Sequence, residues 1–252
     1  MKQIFIYFCI LFNISHANKV YHIPIFGTID LGLPPFIERS IQEAENDSAS
    51  AIVFEINTFG GRVDAATQIK DAILDSKVPT IAFINKRAIS AGALISLSCE
   101  KIYMTGGATI GATTAVDMQG NKASEKVISY MREEMASTAE KRGRNKIIAR
   151  GMVDEELEFP SKIVNEFVNS DNEIDTIKTK IYYLMFDSDT VIVDDIEGRK
   201  QGNLITLTTE QSLKYNIADA SIDNFDAVLD SLGFSTLSVK KTKENWPESF
   251  VR

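Results

Sequence analysis

The chain has 252 residues, 44% of them hydrophobic and 25% charged, with a formal net charge of −8. These proportions belong to a globular protein able to bury a core without disulfide or metal staples. They exclude a disordered tail, a collagen-like fibre and a low-complexity linker.

The scarce residues add to this. Of two cysteines and two histidines, Cys9 and His16 fall in the first seventeen residues. The remaining pair is too few for a zinc site built from thiolates and imidazoles, so no metal and no cofactor are expected. The acidic balance leaves no basic run suited to a phosphate backbone, and nucleic acid is not an expected partner.

The N-terminus reads as a secretory signal over residues 1–17. Lys2 supplies the positive start, residues 4–14 the apolar run, and Ser15-His16-Ala17 the small-x-small cleavage pattern. The apolar run is short for a membrane span and carries Asn13. Cleavage after Ala17 removes Cys9 and His16, leaving Cys99 without a disulfide partner and His22 as the lone imidazole. Export to the periplasm, or to the outer face of the inner membrane, is the expectation.

In chain order, Val20–Ile29 reads as a first strand in which Pro24 marks an edge or a bulge. Leu33-Pro34-Pro35 opens a helix through Ile37, Ile41 and Ala44 that ends near Asn46. Residues 51–56 form a nearly continuous apolar run, as a strand covered on both faces requires, and Thr58-Phe59-Gly60-Gly61 breaks it. A helix over 65–74 carries Ile69, Ala72 and Ile73 at helical spacing. A buried strand over 80–84, a helix over 91–97 and a short strand Lys101–Met104 follow.

Ser124 is placed to cap a long helix to about Arg142, with Val127, Met131, Met135 and Thr138 on one face. Residues 145–150 form another helix. The pattern weakens over 160–200, which reads as an insertion or irregular excursion. It returns with a strand over 204–207, a helix over 210–215 capped by Thr209, a segment over 218–222 and a helix over 224–232. Strands alternating with helices in this order predict an α/β fold of parallel βαβ units with right-handed crossovers.

Ligands of open parallel sheets bind at the carboxyl ends of the strands. Gly60-Gly61 and Ser90-Ala91-Gly92 both fall there. A serine at a strand-to-helix turn lies at the positive end of the helix dipole, and a glycine pair lets backbone amides approach a substrate. Each feature also has a plain meaning, a helix cap for Ser90 and a turn for the glycines. A serine nucleophile needs a base, and His22 stands in no recognisable relation to Ser90. A lysine amine is the remaining common route. Lys126 begins the long helix, where the dipole disfavours positive charge. Lys122 and Lys101 have equal chemical standing on the residues alone.

The run from Ala51 to Met104, followed by GATIGATT and by EKVISYMREEMASTAEKRGRN, resembles the membrane-associated serine proteases of the NfeD family. The resemblance covers roughly residues 20–154 and resumes over 202–232. It implies a ClpP/crotonase-like fold, with a protease domain over 18–235 and a C-terminal segment over 236–252. It also implies Ser90 as nucleophile, Lys126 as base, and Gly60 and Gly61 in the oxyanion hole. The geometry of the two turns makes the Gly61 and Ala91 amides the expected donors. Phe59 stands where the family carries proline, which bears on the adjacent substrate subsite.

Long members continue from a Trp-containing segment into membrane helices and a small β-barrel. The segment around Trp246 lies where those helices would begin, so a separate membrane-anchoring partner is a further expectation. The implied activity is endopeptidase cleavage of extended hydrophobic segments of membrane-associated proteins by a homo-oligomer. A non-catalytic scaffold binding membrane-protein partners is the alternative, and an acyl-thioester enzyme of the crotonase type ranks third.

Overall fold

The computed structural model describes residues 19–114, 122–155, 202–234, 238–246 and 248, together with the backbone of short strands between 161 and 193. Residues 1–17, read above as a secretory signal, lie outside the described residues. The order opens with β1 (Val20–Ile29), α1 (Leu33–Asn46), β2 (Ala51–Gly61), α2 (Val63–Asp75), β3 (Thr80–Ile89) and α3 (Ala91–Ser98). Then come β4 (Lys101–Met104), β5 (Thr109–Gly111), α4 (Glu125–Lys141) and α5 (Lys146–Gly151). Five short strands follow: β6 (Ser161–Ile163), β7 (Phe167–Val168), β8 (Ile174–Asp175), β9 (Lys180–Phe186) and β10 (Asp189–Val193). The chain returns through β11 (Thr206–Thr208), α6 (Thr209–Lys214), β12 (Ala220–Ser221), α7 (Phe225–Ser231) and β13 (Val239–Lys241).

One sheet runs in the order β11-β5-β3-β2-β1-β13, with β4 also on β3 and β12 on β4. Its pairs are parallel except β5 with β11. One edge of β3 is shared: residues 81–84 pair with β4, and residues 87–89 with β5. That division brings Gly111 beside Ile89, at the point where β3 turns into α3. Strands β6, β9 and β10 make a separate antiparallel sheet, and β7 pairs with β8. Among the described residues, these short strands fall within the stretch of weak pattern and pair with one another, not with the main sheet.

Both faces of the sheet are covered, which is why its strands read as apolar runs. Tyr21, Ile23, Ile25, Ile52, Phe54, Ile56 and Ile84 face one core with Phe36, Ile69, Ile73 and Leu94 of the helices. Val20, Ala51, Val53, Ile81 and Phe83 face a smaller one closed by Val228 and Leu229 of α7.

Several boundaries differ from the sequence reading. Thr58-Phe59-Gly60-Gly61 does not end β2; the strand continues to Gly61 through a register shift after Ile56. β3 likewise runs on to Ile89. Pro24 is tolerated because β13 pairs with β1 only as far as His22, so the proline's missing N–H meets no further strand on that side. Val127 is 38% exposed; the buried face of α4 runs through Ile128, Met131 and Met135. The cap of α6 is Thr208, not Thr209, because Gln211 three residues on completes a capping box with it. Ser124 occupies the cap of α4 without a side-chain capping bond.

Candidate active site

The carboxyl ends of β2 and β3 open into a cleft of about 1090 Å³. Phe59, Gly61, Arg62 and Val63 form one side, Ala112, Thr113 and Thr114 another, and Tyr130 and Met131 of α4 a third. Ser90 and Ala91 lie between them.

Ser90 joins β3 to α3 with φ 55° and ψ −118°, a conformation that L residues with side chains rarely adopt. Such strain costs on the order of 1–3 kcal/mol and persists only where the surroundings over-determine it. Here they do. The Ser90 amide donates to the Gly111 carbonyl at 2.9 Å, and the Ser90 carbonyl accepts from Ala93 at 2.9 Å. The side chain makes no capping bond, so Ser90 is not the ordinary helix cap that its position alone suggests. A serine on a sharp strand-to-helix turn without a capping bond resembles the turn of a nucleophile elbow.

The turn requires small neighbours on both sides. A Cβ on Gly60 would stand 2.6 Å from Ser90 Cβ, and one on Gly92 would stand 2.5 Å from Thr58 Cγ2. The two glycines of the pair therefore differ in role. The Gly60 amide is taken by Thr58 Oγ1 at 2.9 Å, and Gly60 admits the serine side chain by lacking one of its own. Gly61 lies in the cleft wall against Ile29, whose carbonyl would meet a Gly61 Cβ at 2.1 Å. Ala91 is the first residue of α3, where backbone amides have no intrahelical acceptor.

Lys126 lies in the first turn of α4, exposed, one turn before Tyr130 on the same helical face. Among the described residues it shares no hydrogen bond with Ser90, and it is not among the cleft-lining residues. Of the other lysines weighed from sequence, Lys101 is paired with Asp219 at 3.0 Å and Lys122 with Glu155 at 2.5 Å. Lys70, buried between α2 and α4, bonds Asp71 at 2.7 Å and Glu134 at 2.5 Å. Burial works against its ammonium, but the two carboxylates outweigh it and hold its pKa above the ordinary value. The Lys70–Glu134 pair ties α2 to α4, a link without a local sequence signal because the two residues are far apart in the chain.

His22 belongs to the other end of the sheet. Its Nε2 lies 2.8 Å from Glu55 Oε2, the Asn85 amide donates to Glu55 Oε1 at 2.7 Å, and its ring stands 4.2 Å from that of Phe225. Cys99 is fully buried, and burial pushes its thiol up to about 12, which removes it as a nucleophile. Among the described residues no cluster of His, Cys, Asp or Glu could hold a metal ion. None of their helices is long and apolar enough to cross a membrane.

Residues 19–168 match the family model of the NfeD1b N-terminal domain. The membrane protein NfeD1b of Bacillus subtilis is 31% identical over 238 residues, covering 94% of this chain and 46% of its own. The membrane-bound protease PH1510 of Pyrococcus horikoshii is 30% identical over 223 residues, covering 79% of this chain and 50% of its own. The chain thus spans about half the length of either relative. In fold it is similar to a serine-to-alanine mutant of the 1510-N membrane-bound stomatin-specific protease, with a TM-score of 0.66 and 24% identity over 90% of this chain and 99% of that one. It is also similar to ClpP1 of Listeria monocytogenes, with a TM-score of 0.53 and 18% identity over 82% and 94%. The fold is ClpP-like.

Proposed function

The chain belongs to the family of NfeD1b N-terminal domains, and on that footing we propose that it is a serine endopeptidase whose nucleophile is Ser90. The observation that carries this reading is the strained turn: Ser90 sits at φ 55° without a capping bond and faces a cleft large enough for an extended peptide. An extended substrate lies between residues 61–63 and residues 112–114, with its scissile carbonyl over Ser90. The Ser90 hydroxyl attacks that carbonyl, its proton passing to the neutral Lys126 amine. The Gly61 and Ala91 amides receive the oxyanion, and the lysine then returns the proton to the leaving amine.

Lys126 is the base in this proposal because Lys101, Lys122 and Lys70 are each held by carboxylates, while its own flexible stem rises one turn from Tyr130 in the cleft wall. Export, action on hydrophobic segments of membrane-associated proteins, and assembly as a homo-oligomer belong to the same proposal. The relatives' names, a membrane protein and a membrane-bound protease, support the membrane setting. The alternative of a non-catalytic scaffold draws on one observation: Lys126 is not among the cleft-lining residues.

The test is hydrolysis of an apolar peptide library by the purified chain. Ser90→Ala and Lys126→Ala should each abolish cleavage and leave the fold intact. Cleavage retained by Ser90→Ala refutes the nucleophile. Cleavage retained by Lys126→Ala alone moves the base elsewhere, and no cleavage by the unmodified chain favours the scaffold.

A further inference from the structure

Phe59 is 73% exposed, a degree unusual for a ring of that size, and it forms part of the cleft wall beside Gly61 and Arg62. The exposed ring is not free to swing. The guanidinium of Arg87 lies 4.3 Å from its centroid, within the range of a cation–π contact. Register explains the pairing. Thr58 of β2 stands opposite Ala88 of β3, and both are buried on the helix side. Their neighbours Phe59 and Arg87 therefore emerge together on the other face, diagonal to one another. Among the described residues Arg87 pairs with no carboxylate, so its guanidinium is committed to the ring.

We propose that Arg87 is a positioning residue for substrate selection. It holds one face of Phe59, so that the other face is a preformed platform at the mouth of the cleft for an aromatic or large aliphatic side chain of the bound peptide. This rests on the peptide-cleft reading above and extends it, because it names the side chain selected and a residue outside the cleft that selects it. A ring fixed before binding loses less freedom when a substrate stacks on it, which is where the gain in affinity arises.

The experiment measures binding by fluorescence anisotropy, using the full chain carrying Ser90→Ala. The probes are labelled decapeptides in which one Phe is walked along an otherwise alanine and leucine sequence, each paired with its Ala counterpart. At one position Phe should bind roughly three- to tenfold more tightly than Ala. Arg87→Leu should cut that preference about threefold while leaving the Ala peptide unchanged. Phe59→Ala should erase the preference, and adding Arg87→Leu to it should have no further effect.

An Arg87→Leu effect that persists without Phe59, or that weakens the Phe and Ala peptides alike, overturns the proposal. So does an absence of any positional preference, or of any binding. Turnover of the same peptides by the unmodified chain is read separately. Selective binding without hydrolysis refutes the peptidase reading and leaves the platform standing.

Discussion

Replacing Gly60 by alanine tests whether that glycine exists to admit the Ser90 side chain. Gly60 has φ +105°, where a residue with a Cβ is strained by about 1–3 kcal/mol whatever its surroundings. The added Cβ would also stand 2.6 Å from Ser90 Cβ, 3.0 Å from the Ile89 carbonyl oxygen and 3.1 Å from Ser90 Oγ. Ser90 cannot step aside cheaply, because its amide is tied to Gly111 and its backbone is already strained. Crowding of this kind costs about a further 1–3 kcal/mol. Gly107 supplies the reference: its φ is +80°, and a Cβ there meets nothing within 4 Å. Gly107→Ala isolates the backbone cost, so the difference between the two variants is the crowding alone, about 1–3 kcal/mol. Urea unfolding followed by far-ultraviolet circular dichroism measures both. Equal destabilisation of the two variants would refute the argument that Ser90 occupies the space Gly60 leaves.

Ser90→Gly should relieve strain of about 1–3 kcal/mol while gaining the unfolded-state freedom of glycine, about 0.5–1 kcal/mol. It should therefore unfold at higher urea than Ser90→Ala, and a lower midpoint contradicts the strained turn. Glu55 is held below its ordinary pKa by the hydrogen bond to His22, against the effect of burial and with help from Asn85. A carboxyl with a depressed folded-state pKa contributes stability above its unfolded value and loses it as pH falls through the folded value. The stability gap between the unmodified chain and Glu55→Gln should accordingly close on acidification, and a gap constant from pH 7 to pH 3 would exclude that linkage. Asp219 accepts from Arg144 at 2.9 Å, and that guanidinium is only 3% exposed. Asp219→Ala strands a buried charge and should cost about 3–5 kcal/mol in chemical unfolding, whereas a loss below 1 kcal/mol would mean that the Ile217 and Glu100 carbonyls suffice.

The parallel sheet was legible because its strands, covered on both faces, show as unbroken apolar runs such as residues 51–56. The helices were legible through their periodicity, to within about two residues for α1 and α2. Ser90 and the glycine pair could be placed at the strand ends from topology alone. What distinguishes Gly60 from Gly61 could not, because it depends on Ser90 Cβ and on Ile29, contacts made by other strands. The continuation of β2 through Phe59 was hidden for a related reason. Glycine and a register shift look like a break in sequence, yet pairing with β1 carries the strand to Gly61. The link between Lys70 and Glu134 and the stacking of Arg87 on Phe59 leave no local pattern, since each joins residues brought together only by the fold. His22 was readable as a strand residue remote from Ser90, but its partner Glu55 was not.

An acyl-enzyme trap tests most directly whether Ser90 is a covalent nucleophile. The chain is mixed with the nitrophenyl ester of a short apolar peptide and quenched in acid. Its tryptic fragments are then sequenced by mass spectrometry. The acyl mass should appear on Ser90, in the fragment between Arg87 and Lys101, and should be absent from Ser90→Ala. Turnover of the ester with the acyl group on another residue, or undiminished turnover by Ser90→Ala, would contradict the assignment.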